Sequence, residues 1–194
     1  MSFPATRWAR SRSSASADPL RINPDGVGSV SRVRVVVVGA GSLGSAVGGT
    51  LAVAGHDVVL VTRNRGHVDA IERDGLRLHD GTGERPVRLR AATGYDGLDT
   101  ADLAIVLVKS FDTEGAVRAA LPVIGPDTVV LTLQNGVGCE EAIAAVVGQE
   151  RVVAGRTFVG GRIVEPGLVE YGIEGRRTTI GELDGARTER IEAV

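Results

Sequence analysis

Two patterns of apolar and polar residues alternate along most of the chain. Consecutive aliphatic residues without polar interruption are typical of strands that are buried on both faces of a parallel sheet. Apolar residues that recur every three or four positions are typical of amphipathic helices. The strand-like runs lie at Val35–Val38, Val58–Val61, Ala101–Val108, Thr128–Leu133 and Arg151–Ala154, and helical patterns follow at 43–54, 68–73, 113–123 and from Glu140. This alternation predicts an α/β fold, in which helices cover both faces of a mostly parallel sheet.

Two parts of the chain depart from this alternation. Leu76–His79 and Val87–Arg90 alternate apolar and polar residues around the turn Asp80–Glu84, which predicts a small hairpin of half-exposed strands without a chemical role. Near the end of the sequence, short strand-like stretches follow one another with only turns between them. We expect them to join the sheet as added antiparallel strands, at Thr157–Val164, Gly167–Ile173 and Thr178–Gly181.

The first strand runs directly into a glycine-rich turn, Gly39-Ala-Gly-Ser-Leu-Gly44, and a helical pattern follows. G-x-G-x-x-G between a strand and a helix is the fingerprint of a Rossmann-like dinucleotide-binding domain. Gly39 would allow the tight turn, Gly41 would let the backbone approach a pyrophosphate, and Gly44 would let the helix pack closely on the strand. The free N–H groups at the start of the helix would face the phosphates.

Arg63 follows the second strand-like run. It lies about 20 residues beyond the glycines, where NAD-binding domains place an acid for the ribose hydroxyls. An arginine at this point can hold a 2′-phosphate through two parallel hydrogen bonds, whereas an acid would repel it. The residue therefore favours NADP(H) over NAD(H). The alternative is an ordinary solvated arginine, since arginine accounts for nearly all basic residues of the chain.

Lys109 and Asn135 follow the next two long strand-like runs. Ligands of open α/β sheets bind outside the carboxyl ends of the strands, which is where both residues are expected. Lys109 is the only lysine in the chain, against many arginines, which suggests a need for a compact ammonium group. Asn135 can both donate to and accept from a ligand. The alternatives are a lysine paired with an acid and an asparagine in a turn before glycine.

Composition narrows the class of protein. The chain has 194 residues and is 43% hydrophobic, which suits one domain of ordinary size. A net charge of −2 and only 3% aromatic residues argue against a nucleic-acid partner. No apolar run approaches the roughly 20 residues that span a bilayer, so we expect no membrane partner. The single cysteine excludes an intramolecular disulfide and a cysteine-based zinc site. We expect a cytoplasmic protein without a metal.

The two ends of the chain differ from its centre. Residues 1–31 are rich in serine and arginine and carry few acids, so we expect a disordered extension or an over-extended start of the reading frame. The predicted dinucleotide-binding domain spans 32–185. Residues 186–194 begin a helical pattern and are expected to start a linker, and nine residues are too few to bury a helix on their own.

Several motifs, in this order, resemble the ketopantoate reductase (2-dehydropantoate 2-reductase) family over about residues 33–194. The lysine and asparagine motifs make the likeness more specific than the glycines alone. The motifs are Gly39-Ala-Gly-Ser-Leu-Gly44, Gly55-His-Asp-Val58, Val108-Lys-Ser-Phe-Asp-Thr113, Leu133-Gln-Asn-Gly-Val-Gly138 and Ile180-Gly-Glu-Leu-Asp-Gly185. The resemblance implies NADPH-dependent reduction of 2-dehydropantoate to (R)-pantoate, on the route to pantothenate and coenzyme A.

The resemblance also implies roles for individual residues. Gly39 to Gly44 would hold the pyrophosphate and Arg63 the 2′-phosphate. Lys109 and Asn135 would lie along the nicotinamide ribose and the substrate, and Gly161 would border the cofactor. The implied NADP(H)-binding residues are Gly39, Ala40, Gly41, Ser42, Leu43, Gly44, Arg63, Lys109, Asn135 and Gly161.

In that family a helical domain follows the Rossmann domain and carries the general-acid lysine. No residue of this chain matches that lysine, so the resemblance implies that the helical domain is missing and that turnover is impaired. One alternative is a non-catalytic NADP(H)-binding fragment or module. Another is an NADP-dependent reductase of a different 2-oxo acid. An apolar surface left open by the missing domain would favour self-association or a homodimer.

Overall fold

The computed structural model describes residues 32–172 and 177–193. The predicted extension at 1–31 lies outside the described residues. The strands are β1 (Arg34–Val38), β2 (Asp57–Val61), β3 (Leu76–His79), β4 (Glu84–Val87), β5 (Arg90–Ala92), β6 (Ala101–Val106), β7 (Ile124–Thr132), β8 (Val152–Thr157), β9 (Gly160–Glu165), β10 (Leu168–Gly172) and β11 (Thr178–Glu182). The α-helices are α1 (Ser42–Val53), α2 (Arg65–Asp74), α3 (Thr113–Ala120), α4 (Cys139–Val147) and α5 (Glu189–Ala193).

The main sheet has seven strands in the order β11-β8-β7-β6-β1-β2-β5. Every neighbouring pair is parallel except β8 and β11, which are antiparallel. β1 lies between β2 and β6, so the chain builds the sheet outward in one direction and then in the other. The strand order therefore reverses between β1 and β6, and this reversal leaves a crevice at the carboxyl ends of these strands. The predicted Rossmann-like fold class is confirmed.

The four consecutive valines of β1 are buried because both faces of the main sheet are covered at this strand. Val35 and Val37 face one apolar cluster, which includes residues of α1 and α2. Val36 and Val38 face the opposite cluster, which includes residues of α3 and α4. All four valines are at most 1% exposed. The prediction that helices cover both faces is thus confirmed.

A second sheet covers the outer side of α1. Its strand order is β4-β3-β10-β9, with β3 and β10 parallel and the outer pairs antiparallel. α1 is thin enough to lie between the two sheets because it carries adjacent glycines. A Cβ on Gly48 would lie 2.5 Å from a methyl of Leu60 in the main sheet, and one on Gly49 would lie 2.7 Å from a methyl of Leu76 in the second sheet.

The second sheet accounts for two differences from the sequence-based expectations. The second strand of the predicted hairpin is Glu84–Val87 rather than Val87–Arg90, because Asp80 accepts a hydrogen bond from the Thr82 N–H and tightens the turn. Arg90–Ala92 instead forms the edge of the main sheet, beside β2.

The late strands also divide between the sheets. Of the stretches expected to extend the main sheet, only Thr178–Glu182 does so, antiparallel to β8. β9 and β10 belong to the second sheet, because β10 pairs with β3, far earlier in the chain. Direct succession of short strands indicates antiparallel neighbours, but it does not indicate which sheet receives them.

Candidate functional site

The carboxyl ends of β1, β2 and β6 surround one cleft of about 680 Å³. It lies at the reversal of strand order, where an open α/β sheet binds its ligands. Four of the predicted site residues line it together, namely Gly39, Gly41, Arg63 and Lys109. Residues distant in sequence are thus assembled because parallel strands end at the same edge.

The glycine turn has the geometry that its sequence predicts. Gly39 has φ +100°, and a Cβ there would lie 2.6 Å from a Val108 methyl. A Cβ on Gly44 would lie 2.4 Å from the Gly39 carbonyl oxygen, so α1 packs against the turn through this position. A Cβ on Gly41 would meet nothing within 4 Å. Gly41 is therefore the position at which the backbone stays open to the cleft.

The start of α1 is electrostatically suited to an anion. Gly41 is its N-cap residue, no side chain caps it, and the first turn contains no acid. The first N–H groups of a helix have no acceptors within it, and they carry the positive end of the helix dipole. A pyrophosphate in the cleft would supply these missing acceptors.

One wall of the cleft is apolar. Tyr95 and Ala116 line it and also contact the core cluster shared by α3 and α4. Burial raises the pKa of Tyr95 to about 12, so its phenol remains neutral over the physiological range. This wall therefore adds apolar surface to the cleft without adding charge.

Arg63 lines the cleft directly after β2, and its side chain is 88% exposed. Its guanidinium donates to Asp112 Oδ2 across 2.8 Å. Asp112 ends a short 3₁₀ turn, Ser110–Asp112, after β6, so the ion pair joins the two sides of the cleft. Sequence reasoning missed this partner, although Asp112 stands three residues after Lys109 in the motif that was singled out.

Lys109 is exposed at the end of the loop that follows β6. None of the ion pairs between described residues includes it, which disfavours the alternative of a lysine held by an acid. Its backbone is fixed by Gln134, whose amide nitrogen donates to the Val108 carbonyl at 2.8 Å and to Thr113 Oγ1 at 2.9 Å. Sequence reasoning did not assign this positioning role to Gln134.

Asn135 and Gly161 lie near the cleft but are not among the residues that line it. Asn135 is exposed in the loop after β7, beside the loop of Lys109: a Cβ on Gly136 would lie 2.7 Å from Ser110 Cβ. A Cβ on Gly161 would lie 3.2 Å from the Ser42 carbonyl oxygen, which puts β9 against the first turn of α1. Ser42 and Leu43 begin that helix, and Ala40 is buried in the turn before it.

A buried polar junction lies behind the glycine turn. It consists of Ser45 on α1, His67 on α2 and Gly167 in the turn before β10. His67 is 0% exposed and accepts a hydrogen bond from the Gly167 N–H at Nδ1, 3.0 Å away. Because Nδ1 accepts, the ring proton is on Nε2, which donates to Ser45 Oγ at 3.0 Å. Burial lowers the pKa of His67 below its ordinary value of 6.5.

Sequence reasoning did not identify this junction. Its three members come from separate elements, and the partners of His67 are 22 and 100 residues away in the sequence. The sequence does offer one signal, because His67 lies four residues before Ile71 and therefore on the apolar side of α2.

Nowhere in 32–172 and 177–193 do three or more His, Cys, Asp or Glu side chains gather so that they could hold a metal ion. Over the same residues no helix is both long enough and apolar enough to span a membrane.

Comparison with known proteins identifies the family. Residues 35–185 match the family described as "Ketopantoate reductase PanE/ApbA". The chain belongs to the ketopantoate reductase family. A 2-dehydropantoate 2-reductase of Halobacterium salinarum is 42% identical over 164 residues, which is 84% of this chain and 53% of that protein. The chain thus spans about half the length of the curated relatives it matches.

Solved structures of two enzymes are also similar to this chain. A 2-dehydropantoate 2-reductase of Geobacter metallireducens is similar with a TM-score of 0.75 and 32% identity, over 82% of this chain and 52% of that one. A structure of D-mandelate dehydrogenase with NADH and anilino(oxo)acetate is similar with a TM-score of 0.69 and 28% identity, over 76% of this chain and 47% of that one. The likeness to ketopantoate reductases and to an NADH-bound relative supports a nicotinamide cofactor.

Proposed function

We propose that the chain binds NADP(H) in the cleft and forms the cofactor-binding part of an oxidoreductase that reduces 2-dehydropantoate to (R)-pantoate. The observation that carries the proposal is the assembly of Gly41, Arg63 and Lys109 around one cleft at the reversal of strand order. Family membership supports the same reaction.

The residues present fit such a cofactor. The open backbone at Gly41 and the uncapped start of α1 would hold the pyrophosphate, and Arg63 would hold the 2′-phosphate. Lys109, with Asn135 in the adjacent loop, would lie along the nicotinamide ribose and the substrate. Gly161 would border the cofactor from the far side of Ser42.

The cofactor supplies the hydride when it is bound. The chain's own residues bind and orient it, and the exposed ammonium of Lys109 can hold an anionic substrate group beside it. We assign no residue of this chain as the general acid. Because a positioned acid typically contributes about 10²–10⁴-fold to such a rate, binding and turnover should be measured separately.

The first test is nucleotide binding by the 194-residue protein. Arg63→Asp should weaken NADPH binding by about 10- to 100-fold, because a charge-assisted pair with a phosphate is lost, and NADH binding should change much less. Arg65→Asp is the matched control, since Arg65 is exposed but not among the cleft residues. An equal loss of affinity for NADPH and NADH in Arg63→Asp would refute the proposed 2′-phosphate contact.

Turnover is tested next, by following NADPH absorbance in the presence of 2-dehydropantoate. A rate clearly above a no-enzyme control supports the proposed reductase. Binding without turnover, by protein shown to be folded, favours the alternative of a non-catalytic NADP(H)-binding module.

A second candidate is the reduction of a different 2-oxo acid. It is favoured by the likeness to D-mandelate dehydrogenase, which was solved with anilino(oxo)acetate. Turnover with phenylglyoxylate but not with 2-dehydropantoate would support this candidate.

Small molecules are the proposed partners, and the cytoplasm is the proposed location. Self-association is also proposed, because Val137 is fully exposed in the loop that follows β7 and Phe111, which also lines the cleft, is 84% exposed in the loop that follows β6. Light scattering on the 194-residue protein at several concentrations tests it: a constant monomer mass would contradict it.

A further inference from the structure

The guanidinium of Arg63 has an ion-pair partner within the protein. It donates to Asp112 Oδ2 at 2.8 Å, and the two side chains are 88% and 32% exposed. An ion pair this exposed contributes little to stability, so it can be exchanged for another partner at small cost. A 2′-phosphate that binds Arg63 must take the place of Asp112 or share the guanidinium with it.

The Asp112 carboxylate would also act directly on a ribose bound beside Arg63. A phosphate that reaches Arg63 comes close to the Asp112 carboxylate, and like charges at short range repel each other. A 2′-hydroxyl at the same point can instead donate a hydrogen bond to the carboxylate. Acids that select NAD(H) act in this way, and they usually follow the second strand of the fold. Here the second strand is followed by Arg63, and the acid comes from the opposite side of the cleft.

Other acids and amides near the cleft have different partners. Glu114, two residues beyond Asp112, accepts from Arg118 Nε at 3.0 Å and is not a cleft residue. The Asn64 side chain accepts from the His67 N–H and caps α2. Asp112 is therefore the acid in the cleft that faces Arg63.

We propose that Asp112 is a specificity-determining residue, which competes with the 2′-phosphate for Arg63 and shifts the choice of cofactor from NADP(H) toward NAD(H). The proposal rests on the proposed function, since it requires a nicotinamide dinucleotide in the cleft. Arg63 alone would select NADP(H). The proposal gives a role to the acid, Asp112, that faces it across the cleft. The pair then sets an intermediate preference, with each residue favouring one form of the ribose.

The test is fluorescence titration of the 194-residue protein with NADPH and with NADH. Asp112→Asn should tighten NADPH binding by about fivefold, the size expected for release of one exposed ion pair, and should weaken NADH binding. Asp112→Ser should change both affinities in the same direction. Asparagine and serine are both favoured at a helix N-cap, which is the position of Asp112 in α3. Thermal melting should show that both variants are as stable as the parent.

The matched control is Glu114→Gln, which removes the same charge two residues away and should leave the ratio of the two dissociation constants unchanged. The effect of Asp112→Asn on NADPH should shrink in an Arg63→Gln background, because the competition needs the guanidinium. Titration with 2′,5′-ADP and 5′-ADP should show the same change in the ratio of dissociation constants, because only the adenosine half of the cofactor is involved.

Two failures can be told apart. If the parent binds NADPH or NADH but Asp112→Asn moves the ratio no more than Glu114→Gln does, this proposal is wrong while the proposed function stands. If the folded parent binds neither dinucleotide, the proposed function is wrong and this proposal is wrong with it.

Discussion

The cleft and the buried junction behind it use polar side chains in opposite ways. In the cleft, the Arg63 side chain is 88% exposed, and its ion pair with Asp112 is the one that we propose a ligand phosphate displaces. In the junction, His67 is 0% exposed and both of its ring nitrogens have fixed partners. Both regions adjoin the glycine turn. One is suited to changing partners, and the other is suited to holding α1, α2 and the second sheet in one arrangement.

Removal of the histidine should give the largest effect on stability. His67→Leu leaves the Gly167 N–H buried without an acceptor, and we expect a loss of about 1–3 kcal/mol in the free energy of unfolding. Urea denaturation followed by circular dichroism measures it. His79→Leu is the control, because the hydrogen bond that His79 accepts from the Gly81 N–H is exposed. Equal losses in the two variants would mean that the junction does not stabilise the fold.

Two glycines of the same six-residue turn allow the binding role and the packing role to be tested separately. In Gly44→Ala the added Cβ would lie 2.4 Å from the Gly39 carbonyl oxygen, so the backbone must shift, and we expect a loss of about 1–3 kcal/mol. In Gly41→Ala the Cβ meets nothing within 4 Å, so stability should be kept while NADPH affinity falls. Denaturation and nucleotide titration of both variants give the comparison. A Gly41→Ala variant that binds NADPH normally would argue against a pyrophosphate at this position.

A fall in pH just below neutrality should lower the free energy of unfolding by less than His67→Leu or Gly44→Ala does, because it acts through protonation of His67. The folded pKa of His67 lies below the ordinary 6.5, so the unfolded chain binds the extra proton first as pH falls. The stabilisation is complete above pH 6.5 and is lost as the pH falls from 6.5 through the folded pKa, with a slope of at most about 1.4 kcal/mol per pH unit. Denaturation at pH 7.5 and 5.5 should show a larger drop for the parent than for His67→Gln. Parallel pH profiles would contradict the assignment of this drop to His67.

Most of the main sheet could be predicted, because its strands are buried on both faces and therefore lack polar alternation. The second sheet could not be placed, since its parallel pair joins Leu78 in β3 to Val169 in β10. No local pattern encodes a pairing over that distance along the chain.

The site shows the same division. The positions of Gly41, Arg63 and Lys109 around one cleft could be predicted, because these residues follow strands whose carboxyl ends meet. Their partners could not: Asp112 reaches Arg63 across the cleft, and Gln134 reaches the Val108 carbonyl from the next loop. Such contacts depend on side-chain directions that periodicity does not specify.

The glycines that let α1 lie between two sheets also affect how the protein folds. Gly44, Gly48 and Gly49 each cost about 1 kcal/mol of intrinsic helix propensity relative to alanine, so the isolated segment has little tendency to form a helix. α1 gains its stability only when Leu60 on one side and Leu76 on the other close over it. We therefore expect the stability of α1 to depend on both sheets, so that partial unfolding of either sheet should also unfold the end of the helix that faces the cleft.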